Sequence, residues 1–178
     1  MDKQQIRRAM RQQNNALTRE SRREASERIF SRLTAEVLGE GVRCVAAFCA
    51  LADEPMTEEW LAEWVRQGLR VVVPRVEGER MQFYDWSPQT QAAGAFGIDE
   101  PTTEAVRCAP AEIDLMVVPG VAFTPCGGRL GRGRGYYDRY LAQADFRART
   151  IGVGYRHQLL EALPIEPHDK MLDKVIVG

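Results

Sequence analysis

The stretch VRCVAAFCALADEPMTEEWLAEWVRQGLRVVV, residues 42–73, decides the fold class. Residues 42–51 are mostly apolar and lie between turn-forming residues, which is typical of a strand buried on both faces. Thr57 is placed to cap the helix that follows, with glutamates in its first turn, and Gly68 is placed to end that helix. Residues 69–73 form a second apolar run. Strand, helix and strand in this order predict a β-α-β unit.

The same alternation continues on both sides of this unit. Upstream, residues 3–15 and 18–38 have the pattern of helices, and Thr18 is placed to cap the second one. Downstream, the sequence predicts strands at residues 81–86, 113–118, 150–153 and 173–177, a helix from Tyr136, and a short helix at residues 157–162. Alternating strands and helices predict an α/β fold. We expect a single domain over residues 1–178, with a mostly parallel sheet in a three-layer α/β/α arrangement.

Residues 87–112 interrupt this alternation, because Pro, Gly, Ala and Thr replace the apolar periodicity. No helix or strand is predicted there. A long irregular segment inside a compact domain is more often functional than a simple connection.

The composition excludes several classes of protein. Hydrophobic residues make up 44% of the chain and charged residues 28%, as in globular domains, and the formal net charge is −1. That charge gives no general attraction to nucleic acid or to anionic membranes. The N-terminus, MDKQQ, has no apolar signal core, and no apolar run reaches membrane-spanning length. We therefore expect a cytoplasmic protein with no nucleic-acid or membrane partner.

The cysteine and histidine pattern does not support a zinc site. The histidines are His157 and His168, and no C-x-x-C pair occurs among the four cysteines, Cys44, Cys49, Cys108 and Cys126. We expect reduced thiols that act as small hydrophobic residues, and histidines that are structural or solvated.

The loop RLGRGRGYYD, residues 129–138, is the most informative feature for function. Its glycines, Gly131, Gly133 and Gly135, lack the Cβ atoms that would keep the backbone away from a ligand, and successive N–H groups in such a loop can bind an anion. The N-terminus of the following helix favours the same ligand. Phosphate oxygens would find positive charge on Arg129, Arg132 and Arg134.

The end of this loop adds groups for two other ligands. Tyr136 and Tyr137 offer ring faces and hydroxyls to a flat heterocycle, and Asp138 supplies oxygen ligands of the kind that Mg²⁺ prefers. Ligands of α/β folds collect beyond the carboxyl ends of the strands. Glu54 follows the first strand and the loop follows the 113–118 strand, so we expect both at the same rim of the sheet.

Known short motifs do not account for the loop. No G-K-[ST] occurs anywhere, which excludes a Walker A motif, and the spacing is G-x-G-x-G, not the dinucleotide-binding G-x-G-x-x-G. A solvated basic turn and an RGG-like nucleic-acid contact remain as alternatives. Its position between an apolar strand and a helix argues against a disordered RGG segment.

The longer run GRLGRGRGYYDRYL, residues 128–141, resembles the signature of the 5-formyltetrahydrofolate cyclo-ligase family. In that family the pattern G-x-R-L-G-x-G-x-G-[YF]-Y-D follows a Pro-x-x-x-Phe segment, which Pro119–Phe123 matches. The resemblance extends over nearly the whole chain. Four further matches carry it: Lys3 and Arg7 of an N-terminal basic helix, the pair Asp53–Glu54, the segment Phe96–Pro101, and Leu163-Pro164 followed by Asp169.

The resemblance implies the reaction of ATP and 5-formyltetrahydrofolate to 5,10-methenyltetrahydrofolate, ADP and phosphate. It implies catalytic roles on the transferring phosphate for Arg132 and Arg134. ATP would be bound by Lys3, Arg7, Arg129, Gly131, Arg132, Gly133, Arg134, Gly135, Tyr136 and Tyr137. The folate would be bound by Cys49, Glu54, Arg132, Arg134 and Tyr136, and magnesium by Asp138 and Asp169. The partners would be these small molecules alone, and the protein a monomer.

Two positions depart from the family pattern. Arg134 stands where many members carry lysine or glycine, and Cys49 stands where a larger apolar residue is more common. Two other classes of function remain open: a phosphate-sensing or RNA-contacting α/β binding module, and a sugar-phosphate isomerase that needs no ATP.

Overall fold

The computed structural model describes residues 1–88, 91–93, 99–102 and 104–178. Within the family-like segment Phe96–Pro101, residues 96–98 therefore lie outside the described residues. The helices are α1 (Lys3–Ala16), α2 (Arg19–Val37), α3 (Glu58–Arg66) and α4 (Tyr136–Leu141). The strands are β1 (Cys44–Ala46), β2 (Arg70–Glu77), β3 (Arg80–Asp85), β4 (Gln91–Ala93), β5 (Asp99–Pro101), β6 (Arg107–Cys108), β7 (Leu115–Val118), β8 (Ala122–Phe123), β9 (Arg129–Leu130), β10 (Arg149–Gly154) and β11 (Lys174–Val177). Short 3-10 helices lie at Pro110–Glu112 and Arg156–Gln158.

A mostly parallel sheet forms the centre of the described structure. Its seven strands lie in the order β11, β10, β7, β1, β2, β3, β6. The first five run parallel, and β3 lies antiparallel to both of its neighbours. The strands β4 and β5 pair with each other, as do β8 and β9. The predicted parallel sheet is therefore confirmed.

Successive residues of the central strands pack against different layers, as strand geometry requires. In β7, Leu115 and Val117 join the helices α2 and α3 in one apolar core, whereas Met116 and Val118 join Tyr140 of α4 in another. All four β7 side chains are buried. Because helices cover both faces of the sheet, the predicted three-layer α/β/α arrangement is confirmed.

The first two helices follow the prediction closely. In α2, the Thr18 side chain accepts a hydrogen bond of 3.0 Å from the Ser21 N–H, which confirms the predicted cap. The buried face of this helix includes four apolar residues, one at every fourth position: Ala25, Ile29, Leu33 and Val37. No helix within the described ranges is both long enough and apolar enough to cross a membrane.

Several boundaries differ from the prediction. The strand predicted at residues 42–51 pairs only over Cys44–Ala46, because the chain then leaves the sheet to form a wall of the cleft described below. Thr57 precedes α3 but does not cap it, because its hydroxyl donates to the Phe48 carbonyl at 2.7 Å and accepts from the Ala50 N–H.

Two other predictions were wrong in extent. The helix predicted at residues 157–162 is only the single 3-10 turn Arg156–Gln158. In residues 87–112, where no element was predicted, the chain forms β4, β5, β6 and a 3-10 turn. These strands have two or three residues each, and so short a pairing leaves little periodicity in a sequence.

Candidate active site

A cleft of about 1060 Å³ lies at the carboxyl ends of the parallel strands β1 and β7. Every residue predicted for the site lines it: Lys3, Arg7, Cys49, Glu54, Arg129, Gly131, Arg132, Gly133, Arg134, Gly135, Tyr136, Tyr137, Asp138 and Asp169. The expected convergence of Glu54 and the glycine loop at one rim is thus confirmed. This volume lies at the upper end of the range found for small-molecule pockets.

The glycine loop lines the cleft with backbone angles that residues other than glycine rarely adopt. Gly133 has φ +108° and Gly135, the residue before α4, has φ +72°. A Cβ atom on Gly133 would meet no atom closer than 3.5 Å, so the backbone angle and not crowding is the reason for glycine there. Gly131 is different, because a Cβ atom there would lie 3.1 Å from the guanidinium of Arg129.

Arg129 lies at the start of the glycine loop, and its buried side chain contacts Pro119, before the loop, and Asp138, at its end. Its side chain is 6% exposed, its Nε donates to the Pro119 carbonyl at 2.9 Å, and its Nη1 lies 3.9 Å from Asp138 Oδ2. Its guanidinium also lies 5.1 Å from the centre of the Tyr137 ring. Burial lowers the pKa of Arg129, and the Asp138 carboxylate opposes that effect. These contacts make Arg129 a brace between the end of β7 and α4.

Arg132 faces two carboxylates across the cleft. Its Nη2 lies 2.6 Å from Asp53 Oδ1 and 3.2 Å from Glu54 Oε1. Burial lowers the pKa of Arg132, but the two carboxylates outweigh burial and the net pKa is raised. Burial also raises the pKa of Glu54, against the effects of Arg132 and of the Leu51 N–H, which donates to Glu54 Oε2 at 2.9 Å. Arg132 therefore connects the glycine loop to Glu54, the carboxylate expected to bind the folate.

The far end of the loop is tied to the β2–β3 turn. Arg139 donates to the Arg134 carbonyl at 3.0 Å and to the Glu79 carbonyl at 2.8 Å, and its guanidinium lies 5.2 Å from the centre of the Tyr136 ring. The Tyr136 hydroxyl donates to the Gly78 carbonyl at 3.3 Å. Arg139 was not predicted as a site residue, although it lies within the signature run.

Helix α1 contributes three cationic side chains to the cleft, at four-residue intervals along the helix. Lys3 Nζ lies 2.9 Å from Glu166 Oε2 and 3.3 Å from Asp169 Oδ2. Arg7 Nε donates to the Gly131 carbonyl at 2.9 Å. Arg11 also lines the cleft and was not predicted, although its spacing from Lys3 and Arg7 places it on the same helix face.

A group of possible metal ligands lies beside Lys3. The ligand atoms of Glu166, His168 and Asp169 lie within 4.8 Å of one another. Asp138 lines the same cleft but is not a member of that group; its Oδ1 accepts a hydrogen bond of 3.3 Å from the Lys170 N–H. Burial raises the pKa of Asp169, but the Glu166 N–H and Lys3 outweigh it, so that the net pKa is lowered and the group is a carboxylate at neutral pH.

These carboxylates fit a magnesium ion, because hard oxygen ligands are what Mg²⁺ prefers, whereas the His168 nitrogen is not. Glu166 was missed by the sequence analysis. The acidic run PIEPHD, residues 164–169, was the signal that could have indicated it.

The rest of the cleft is largely apolar. Its wall is formed by Phe48, Cys49, Pro74, Val76 and Met81, together with the Tyr137 ring. Burial raises the pKa of the Tyr137 hydroxyl, which is therefore protonated at neutral pH. Glu100 also lines the cleft, and burial raises its pKa. A flat ring with a few polar edges fits such a wall.

The two histidines differ in environment, and neither is buried in the cleft. His157 is half-buried, bonds to Asn14, and stacks on Tyr155 with ring centres 5.8 Å apart. His168 is exposed, with its ring nitrogen 3.3 Å from Glu166 and from Asp169. None of the four cysteines, all of which lie in the described part of the chain, forms a disulfide bond.

Known proteins resemble this chain in sequence and in structure. The sequence model of the 5-formyltetrahydrofolate cyclo-ligase family matches residues 1–178. The 5-formyltetrahydrofolate cyclo-ligase of Mycolicibacterium smegmatis is 33% identical over 141 residues, which cover 75% of this chain and 73% of the relative. The protein of the same name from Escherichia coli (strain K12) is 31% identical over 174 residues, which cover 94% and 95%.

The structural comparison agrees. The NMR structure of Aquifex aeolicus 5,10-methenyltetrahydrofolate synthetase has a TM-score of 0.83 and 34% sequence identity, and the match covers 99% of this chain and 89% of that one. Because the family match spans the fold and every element of the cleft, the chain belongs to the 5-formyltetrahydrofolate cyclo-ligase family of enzymes.

Proposed function

We propose that this protein catalyses the ATP-dependent cyclisation of 5-formyltetrahydrofolate to 5,10-methenyltetrahydrofolate, with release of ADP and phosphate. The observation that carries the proposal is the arrangement of one cleft. A glycine and arginine loop lies between a cationic helix face on one side and an apolar wall with carboxylates on the other. Such a cleft suits a polyphosphate and a flat heterocycle held next to each other.

The chemistry requires the formyl oxygen to be activated, because an amide oxygen is a poor leaving group. In the proposed reaction the γ-phosphorus of ATP transfers to that oxygen, and its bond to the ADP oxygen breaks. The N10 lone pair of the folate then attacks the formyl carbon, the N10 proton is lost, and the C–O bond breaks to release phosphate. No nucleophilic side chain is needed, so the protein acts by positioning and by neutralising charge.

The residues divide between the two substrates. We assign the phosphates of ATP to Lys3, Arg7 and the N–H groups of the glycine loop, with Arg134 at the transferring phosphate. We assign the heterocycle to the apolar wall, with Glu54 and Tyr136 at its polar edges. Arg132 lies at the boundary, because it reaches both the loop and the Asp53–Glu54 pair.

Magnesium would be held by Asp138, Asp169 and Glu166, the oxygen ligands at the phosphate end of the cleft. When bound it would offset the negative charge of the phosphates. Arg129 is assigned a bracing role and not a direct hold on the nucleotide, since its guanidinium is buried beneath the loop. Since one chain supplies all of these residues, we propose that the protein acts as a monomer. The proposed reaction uses small soluble substrates, and we propose that this single domain carries it out in the cytoplasm.

Incubation of the purified protein with ATP, Mg²⁺ and 5-formyltetrahydrofolate tests the proposal. The methenyl product absorbs in the near ultraviolet, and absorbance should rise only when all three are present. An activity that persists without ATP would contradict the proposed reaction, and a sugar-phosphate isomerase would show none in this assay. An RNA-contacting module would instead retain RNA with a steep loss of binding as salt increases.

A further inference from the structure

Asn14 is a buried polar residue where the pattern of α1 calls for an apolar one. Ile6, Met10 and Asn14 are the buried residues of this helix, at four-residue intervals, and Asn14 is only 5% exposed. Asparagine is a poor helix former and costs free energy to bury unless its amide is hydrogen-bonded. A leucine would satisfy both helix and core, so Asn14 needs another explanation.

The amide of Asn14 connects two segments of the chain. Its Nδ2 donates to the main-chain carbonyl of Asp53 at 3.1 Å, and its Oδ1 faces Nε2 of His157 within hydrogen-bond distance. Because a carbonyl can only accept, the contact with Asp53 fixes which way the amide points. His157 must then donate from Nε2, and this bond holds the amide in place.

The neighbouring carbonyl is held in the same way by Tyr155. This tyrosine is 1% exposed, and its hydroxyl donates to the main-chain carbonyl of Glu54 at 2.9 Å. Arg22 donates in turn to the Tyr155 hydroxyl at 3.3 Å. The consecutive main-chain carbonyls of Asp53 and Glu54 thus accept hydrogen bonds from Asn14 and Tyr155, while the carboxylates of the same two residues contact Arg132.

We propose that Asn14 and Tyr155 are positioning residues, which fix the backbone of Asp53–Glu54 so that its carboxylates meet Arg132 and the bound folate, and that His157 orients the Asn14 amide. The consequence for folate rests on the function proposed above. The segment 51–54 needs such support, because its own main-chain hydrogen bond, from the Glu54 N–H to the Leu51 carbonyl, closes only a single turn. A small displacement of a binding group costs a large factor in rate or affinity.

The effect should fall on the folate and not on ATP. Lys3 and Arg7 lie on the same helix, but their own contacts with Glu166, Asp169 and the Gly131 carbonyl hold them independently. Loosening Asn14 therefore leaves the phosphate end of the cleft in place. A residue that served only the fold would affect both substrates alike, or neither.

Hydrogen exchange tests the positioning without any substrate. In the full chain we would compare the exchange of peptides covering residues 51–54 in wild type, Asn14→Leu and Tyr155→Phe, with Gln13→Ala, an exposed amide on the same helix, as control. The first two variants should exchange faster in this segment, and the control should not. Unchanged exchange in both Asn14→Leu and Tyr155→Phe would overturn the proposal, whatever the enzyme activity.

Steady-state kinetics test the consequence. In both variants KM for 5-formyltetrahydrofolate should rise about tenfold, which corresponds to one lost hydrogen bond, while KM for ATP stays within about a factor of two. His157→Gln keeps an N–H donor and should remain close to wild type, whereas His157→Leu should behave like Asn14→Leu. A parallel rise of both KM values, or no rise, would overturn the positioning role. Absence of turnover in wild type would reject the proposed function, and hydrogen exchange would still decide the positioning.

Discussion

The guanidinium of Arg132 lies 2.6 Å from the carboxylate of Asp53 and forms an ion pair across the mouth of the cleft. The same Nη2 atom lies 3.2 Å from Glu54, which is itself buried. Arg132 thus meets two negative charges before any substrate enters. A phosphate that approached Arg132 would have to compete with these carboxylates for its guanidinium.

The first prediction concerns pH and the stability of this cluster. Burial raises the pKa of Glu54, so that the folded protein binds a proton there more tightly than the unfolded chain does. The contribution of Glu54 to the free energy of unfolding is therefore fully present below the pKa of the unfolded state and is lost as pH rises through the pKa of the folded state. Arg132 opposes the shift. We expect Arg132→Met to destabilise the protein by about 1–2 kcal/mol at pH 7.5, between the values for surface and buried ion pairs, and by less at about pH 5.

Urea unfolding of both proteins across this pH range measures the effect. In Arg132→Met, the further change Glu54→Gln should remove most of the added pH dependence, because no buried charge then remains at that position. If Arg132→Met lost the same stability at both pH values, the buried carboxylate would not be the cause.

The second prediction concerns the metal. Asp138→Asn keeps an oxygen that can accept from the Lys170 N–H, but it removes a negative charge that also lies 3.9 Å from the buried Arg129, so thermal unfolding of the variant accompanies the activity measurement. We expect turnover to fall about 10²-fold and the magnesium requirement to rise, since a metal supplies several kcal/mol of charge stabilisation. Magnesium titrations of activity measure both. The exposed Asp145→Asn is the matched control, and full activity in Asp138→Asn would remove Asp138 from the metal site.

The third prediction separates conformational strain from ligand binding at Gly133. The spacing of the glycines alone suggests that Gly133→Val blocks ATP without affecting the fold, but φ of +108° adds a strain of about 1–2 kcal/mol. Gly41 is a suitable control, because φ is +84° and no atom lies within 4 Å of the Cβ position. Both valine variants should lose similar stability in thermal unfolding, and only Gly133→Val should lose ATP binding by calorimetry. Equal ATP binding in the two would mean that the glycine serves the backbone alone.

Much of this architecture could be predicted from residue patterns, because it depends on local periodicity and on the rules of parallel sheets. The apolar runs indicated the buried strands, and because Glu54 and the glycine loop each follow one of these strands, both were expected at one rim. The resemblance to a known family then brought together Lys3 and Asp169, which are 166 residues apart in sequence and 3.3 Å apart in space.

The partners of individual side chains could not be predicted in this way. Arg132 looked like a phosphate ligand because its neighbours are glycines, yet its contacts are Asp53 and Glu54, which depend on reach across the cleft. Thr57 had the sequence position of a cap, but its hydroxyl bonds back to the Phe48 carbonyl. Such choices are decided by tertiary geometry and leave no periodic signal in the sequence.

The last prediction distinguishes the two loop arginines assigned to the transferring phosphate. The Arg134 carbonyl accepts a hydrogen bond from Arg139, and Arg134 lies between Gly133 and the glycine that precedes α4. Its place in the glycine loop that lines the cleft makes Arg134 our candidate to meet the charge that develops as the phosphoryl group moves. A contact made mainly in the transition state contributes to kcat and not to the affinity for ATP.

We therefore expect Arg134→Ala to lower kcat by about 10²-fold or more, with a small change in KM for ATP, because a charge-assisted contact in a desolvated site is worth a few kcal/mol. Arg134→Lys should recover much of the loss, since a point charge on a flexible chain can still reach a phosphate oxygen. Steady-state kinetics at saturating folate, with ATP varied, measure both constants. If KM for ATP rose in Arg134→Ala while kcat held steady, Arg134 would bind ground-state ATP only, and the transferring phosphate would have to be stabilised by Arg132 after its release from Asp53.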